Sequence, residues 1–218
     1  NNENFQQAET EYAKALESLN HAITYFQDAQ NLQQQSGLQQ LIEQLQGVKN
    51  NVYQLYQIYQ ILANHESQYE SIVNQLNSLL QGVQISKGQA LQIVNSSNPL
   101  QTTFNIYLAN ISNEIQDFLN SLPDNEGGQY LKQNLGAQWQ NILNALDYYI
   151  TGLAFITATK DNSNLSQVVQ YLNEGAQYLE DSEQYFEAIG LSQSSLQGLN
   201  KQIQPVSYTH LTLPTSDL

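Results

Sequence analysis

Two short stretches of the chain have the spacing of helix-borne metal ligands. Glu17 and His21 stand four apart, and His65 is followed by Glu66 and Glu70. Residues four apart share a helix face, so each set can offer two donors to one ion. Two donors do not close a metal site, and no further ligand can be nominated. A dinuclear carboxylate bundle needs Glu-x-x-His on paired helices, because i and i+3 then point into one core site. That motif is absent, as are His-Glu-x-x-His, Gly-x-Ser-x-Gly, the phosphate-cradling Gly-x-x-x-x-Gly-Lys loop and Gly-x-Gly-x-x-Gly. The chain has no Cys, which removes thiolate ligands, thiol nucleophiles and disulfides together. No catalytic, metal or cofactor-binding residue is nominated, and the chain reads as a non-enzyme.

Two other groups have the chemistry of an interaction surface. Tyr53, Tyr56 and Tyr59 alternate with Gln through Tyr-Gln-Leu-Tyr-Gln-Ile-Tyr-Gln. Tyr59 falls on an apolar stripe, whereas Tyr53 and Tyr56 flank it and can reach outward. Tyr suits an interface because it buries a rigid surface and keeps a hydrogen-bonding tip. The chain holds 14 of them; the same residues would equally wrap the core of a wide bundle. Glu180, Asp181, Glu183 and Glu187 gather late in another helical stretch, where the helix dipole disfavours negative charge. They form either a face for a cation or basic partner, or a plain solvated face.

Composition narrows the partners. Charged residues make up 12% of the chain, with six Lys against twenty Asp and Glu, no Arg and a net charge of −14. Such a surface repels phosphate and lacks the guanidinium fork that grips it, so nucleic acid is excluded as a partner. Gln, Asn, Ser and Tyr fill the polar faces instead. With few carboxylates to protonate, such a surface changes little in acid, which fits an acidic habitat.

The elements that must carry these residues are helices. From Leu41 the apolar residues step by four and three through Leu45, Val48, Val52, Leu55, Tyr59 and Leu62, then Glu66, Tyr69, Val73, Leu76, Leu80 and Val83. A stripe repeating every 3.5 residues stays buried only along partner helices. The spacing predicts one helix over 38–94, softened at Gly82 and Gly88 and kinked at His65-Glu66, whose seam alone would run about 60 Å. A first helix over 3–35 carries Phe5, Tyr12, Leu16, Leu19, Ile23 and Phe26 and stops at Ser36-Gly37, read as a C-terminal glycine signal. Asn98-Pro99 starts a third helix with Phe104, Leu108, Ile111, Ile115, Phe118 and Leu122. Pro123 to Gly128 is a turn. A fourth helix carries Leu135, Trp139, Ile142, Leu146, Tyr149, Leu153 and Ile156, and a fifth, from Leu165 to Gly190, carries Val169, Leu172, Ala176, Leu179 and Phe186. A sixth segment holds Leu196, Leu199 and Ile203. The expected fold is all-α: an elongated antiparallel helical bundle of five to six helices with coiled-coil-like heptad packing.

One domain is expected over residues 1–205, truncated at its C-terminus. Val206-Ser-Tyr-Thr-His-Leu-Thr-Leu-Pro-Thr215 resembles the translation of a sequencing-library adapter, so 206–218 is read as a non-native tail from shotgun or metagenomic sequencing. The start at Asn1-Asn2-Glu3 fits a chain processed by signal cleavage or trimmed, and sequons at Asn95, Asn110 and Asn164 fit secretion. The most apolar run, Ile150 to Ala158, is about half the ~20 residues a membrane span needs and reads as the buried middle of a helix. Leu19-Asn20, Tyr25, Asp28 and Gly37-Leu38 recur 153 residues on as Leu172-Asn173, Tyr178, Asp181 and Gly190-Leu191, either the echo of a duplicated unit or a chance recurrence in a chain rich in Leu, Asn, Gln and Tyr.

Together these features point to a secreted or cell-surface structural protein, a filament, layer or stalk component. Its expected partner is a second copy or another protein, with contacts made by helix packing. A helical pore-forming toxin or effector touching membranes, or a bundle that binds a ligand or partner helix, is the alternative.

Overall fold

A computed structural model describes residues 5–33, 36–160, 162–188 and 190. The expected tail at 206–218, the sixth segment with Leu196, Leu199 and Ile203, and Leu191 of the internal echo lie outside the described residues. What is described is all-helical: α1 (Phe5–Gln33), α2 (Ser36–Asn64), α3 (Glu66–Gln81), α4 (Lys87–Val94), α5 (Pro99–Thr103), α6 (Ala109–Ser121), α7 (Glu126–Ala158) and α8 (Leu165–Ala188). A π-helical turn, Phe104–Leu108, joins α5 to α6 without a break. Counting that run as one rod gives seven helices among the described residues rather than five or six.

The difference arises in the predicted second helix, which is three. His65 separates α2 from α3. Its N–H reaches both Ile61 O (3.1 Å) and Leu62 O (3.3 Å), and its ring Nδ1 lies 2.9 Å from the same Ile61 O. A carbonyl only accepts, so Nδ1 is the protonated nitrogen, and a side chain bonding back into the preceding turn competes with the backbone ladder there. The helix resumes at once, with Tyr69 N–H donating to His65 O at 2.9 Å. Gly82, at φ 135°, ends α3 in a conformation that a Cβ would resist. Gly88 does not interrupt anything; it sits inside α4, which Ser86 caps through a complete capping box with Gln89. Gly37 is likewise no terminator, since α2 already begins at Ser36.

Two compact units emerge. One takes in residues to Glu70 together with Phe118–Leu135; the other takes in Ser71–Asp117 and residues from Gly136. In the first unit α1 and α2 run antiparallel, with Tyr12 stacked on Tyr59 at 5.2 Å and the Gln30 carboxamide donating to Gln39 at 2.8 Å. Phe5 meets Tyr69 edge-on at 5.5 Å, and Phe118 lies edge-on to His65 at 5.9 Å. Ile58, Ile61, Leu62, Leu122 and Leu131 are buried in the same unit. Along the rest of α1 and α2 only Ile23 and Ile42 are buried. The predicted stripe is therefore half-covered: Val48 is 49% and Leu55 40% exposed. A helix pair shields each stripe from one side only.

The second unit has the denser core. Asn98 caps α5, accepting from Gln101 N–H at 3.3 Å with Pro99 behind it, as the sequence predicts. In the π turn Ala109 N–H reaches back to Phe104 O, one residue further than an α-helix allows. On α7, Trp139, Leu143, Leu146, Tyr149, Ile150, Ala154, Phe155 and Ala158 are buried. Thr151, also buried, donates its hydroxyl to Thr103 Oγ1 at 2.8 Å. The run Ile150 to Ala158 is thus the interior of this unit, and among the described residues no helix is long and apolar enough to cross a membrane.

The buried stripe of α8 is Tyr171, Gly175, Leu179, Ser182 and Phe186; Leu179 and Phe186 lie on it as predicted, whereas Leu172 is half-buried and Val169 and Ala176 are exposed. Small residues define the contact. A Cβ on Gly152 would come within 3.0 Å of Gly175 O and 2.8 Å of Leu179 Cγ, and one on Gly175 within 3.1 Å of Gly152 O. A search for large apolar residues passes over such a stripe.

Gly47, in the middle of α2, has open space where a Cβ would go. Gly47→Ala is expected to raise stability by about 0.5–1 kcal/mol, and Gly152→Ala to lower it by about 1–3 kcal/mol through overpacking. Chemical unfolding followed by circular dichroism checks both; equal effects would contradict the close crossing.

Candidate interaction site

The candidate tyrosines sit in the first unit, on α2. Tyr53 is 47% exposed. Tyr56 is half-buried, accepts from Gln60 Nε2 at 3.2 Å, and its ring centroid lies 6.4 Å from that of Tyr53. Tyr53 borders an open cleft of about 560 Å³, whose walls are Asn50, Tyr53 and Gln57 on α2 and Asp124, Asn125, Glu126 and Gln129 around the start of α7.

Local chemistry builds the second wall. Asn125 caps α7, its Oδ1 accepting from Gly128 N–H at 2.8 Å. Gly127 N–H donates to Gln57 Oε1 at 3.3 Å, and a Cβ on Gly127 would meet Gln57 Cβ at 2.8 Å and its backbone at 3.1 Å. The glycine lets α7 start directly against α2. Asp124, fully exposed, pairs with Lys132 at 2.8 Å. That hydrogen bond, with the ammonium charge, holds its carboxyl below the usual range. The predicted turn Pro123 to Gly128 is shorter than expected, because the helix takes over at Glu126.

The acidic candidates lie in the second unit, on α8. Glu180, Glu183 and Glu187 are exposed. Asp181 is half-buried and accepts from Gln177 Nε2 at 3.0 Å. Asp181 faces an aromatic group: Tyr148 of α7 lies 6.1 Å from Tyr178 and 5.3 Å from Tyr185, both on α8. Burial raises the Tyr148 phenol first, followed by Tyr185 and the nearby carboxylates of Asp181 and Asp147. Tyr178 is raised by burial, then by Glu174, Asp181 and Asp147.

Asp147 was not among the residues that sequence reasoning selected. Its Oδ1 is buried without a hydrogen-bond partner, and burial pushes its carboxyl up to about 7. A signal for it existed: it is the only charged residue between Lys132 and Lys160. The cleft residues Asn50, Gln57 and Gln129 had no such signal, because they meet only when the start of α7 docks on α2.

The metal-type pairs gain no further ligand, and among the described residues no three His, Cys, Asp or Glu groups gather. His65 instead spends Nδ1 on its own helix. No protein-family model, curated protein or solved structure matches the chain.

Asp147 sets a pH dependence. Unfolded, it titrates near the ordinary carboxylate value of about 4; folded, near 7. Between those values the folded chain holds more protons, so this group's stabilisation is complete below about pH 4 and is lost as the pH rises toward about 7. The thermal midpoint of the wild type should accordingly fall across that window relative to Asp147→Asn. Parallel curves for the two proteins would show that Asp147 ionises freely in the fold.

Proposed function

We propose that this chain is a structural or interaction protein of the cell surface or extracellular space that works by helix packing. The α1 and α2 pair would serve as a coiled-coil-like strip that further helices complete. The supporting observation is the heptad stripe on α2, regular in sequence yet left with Val48 and Leu55 substantially exposed. Tyr25 and Leu32 on α1 are exposed as well. An apolar stripe of that regularity is stabilised by covering its open side, and a second copy supplies a matching stripe.

Light scattering after size exclusion on the full chain, at neutral and acid pH, tests this reading. Assemblies well above the chain mass of 24.6 kDa are expected, and Val48→Glu with Leu55→Glu should return the protein to monomer while its helical circular dichroism is retained. A wild type that stays monomeric at every concentration tried would overturn self-association.

A further inference from the structure

Three carboxyl groups meet across the contact between α7 and α8. Asp147 of α7 keeps one oxygen buried without a hydrogen-bond partner. From α8, Glu174 and Asp181 reach the same aromatic group: Tyr178 lies in the field of all three carboxylates, and Tyr148 in that of Asp147 and Asp181. No cation offsets the burial of Asp147. The π turn adds Tyr107, whose hydroxyl is likewise buried and unpartnered. On α6, Glu114 is engaged by Gln75 at 2.6 Å and Asp117 is exposed, while α4 carries Lys87, also exposed.

We propose that α8 is a latch that closes on α7 in acid and loosens toward neutral pH, with the protonated Asp147 carboxyl as its catch. Protonated, the carboxyl is neutral, and the two helices bury uncharged aromatic surface between them. Ionised, it becomes a half-buried charge facing two further carboxylates, and moving α8 away returns it to water. The helix is suited to such a movement. It is held on α7 largely by packing, through Tyr171, Leu179, Phe186 and the Gly152–Gly175 approach, and the Tyr171 hydroxyl reaches Asn95 Oδ1 only at 3.5 Å. Docked, Asp147 titrates near 7; undocked, it titrates near the ordinary value of about 4. The docked helix therefore holds more protons between those values, and opening becomes about ten-fold easier per pH unit from about 4 to about 7, then levels off. The pH dependence set by Asp147 is thereby assigned to one helix, which opens while α6 and α7 stay folded.

This inference does not rest on self-association, since Val48 and Leu55 belong to the first unit. Hydrogen–deuterium exchange read by mass spectrometry on the full chain, between pH 5 and 8, tests it once each rate is divided by that of the unfolded chain at the same pH. Protection of α8 amides should drop about ten-fold per pH unit from pH 5 to 7 while α6 and α7 peptides keep theirs. Asp147→Asn should leave α8 protection flat. The chain has no Cys, so Ser182→Cys, at a buried α8 position, supplies a second probe in an otherwise unaltered chain. Its labelling rate, relative to the urea-unfolded protein, should rise over the same window. The proposal is overturned if α8 protection ignores pH, if it drops equally in Asp147→Asn, or if α6 and α7 lose protection in step with α8.

Discussion

Gly152 and Gly175 bring the backbones of α7 and α8 close enough that a methyl group on Gly152 would overlap Leu179 and one on Gly175 would press on the Gly152 carbonyl. Much of the second unit is organised by that contact. It selects the stripe of α8 that faces inward, and so sets Tyr171 and Tyr178 against Phe155, at 5.7 Å and 5.5 Å between ring centroids. It also brings α8 near enough for Tyr178 to feel Asp147. A half-buried carboxyl with an unpartnered oxygen is costly as a charge. The fold accommodates it by favouring the neutral acid.

The first unit is held differently. Its aromatic contacts gather at one end of α1 and α2, around Phe5, Tyr59, Tyr69 and Phe118, while the remaining length is sparsely buried. On the surface, neutral amide pairs stand where other proteins place ion pairs. Each such pair contributes only a few tenths of a kcal/mol, and hydrogen bonds between uncharged groups are not screened by salt as ion pairs are.

Local signals in the sequence translated well where one residue decides the outcome. Asn98-Pro99 starts a helix, His65-Glu66 marks a break, and α7 stops before the predicted Lys160 to Asn164 stretch. Period alone misled in two ways. The stripe from Leu41 to Val83 reads as one continuous seam, but the helix is interrupted at His65, whose ring competes for the Ile61 carbonyl, and ends before Gly82. On α8 the buried face is built partly from Gly175 and Ser182, which carry no hydrophobic signature. The candidate sites were legible in part. Tyr53 is recoverable from its flank position, and Asp147 from its isolation among apolar neighbours. The rest of the cleft depends on tertiary docking of the α7 start and has no local trace.

The chain has one Trp, and it lies 97% out of solvent on α7, in the second unit (Trp139 is 3% exposed). The first unit contains none. Indole emission therefore reports on one unit alone, whereas backbone ellipticity sums over both. Unfolding followed by the two signals would coincide only if the units lose structure together, so a single buried ring makes the cooperativity of the whole chain measurable without labels.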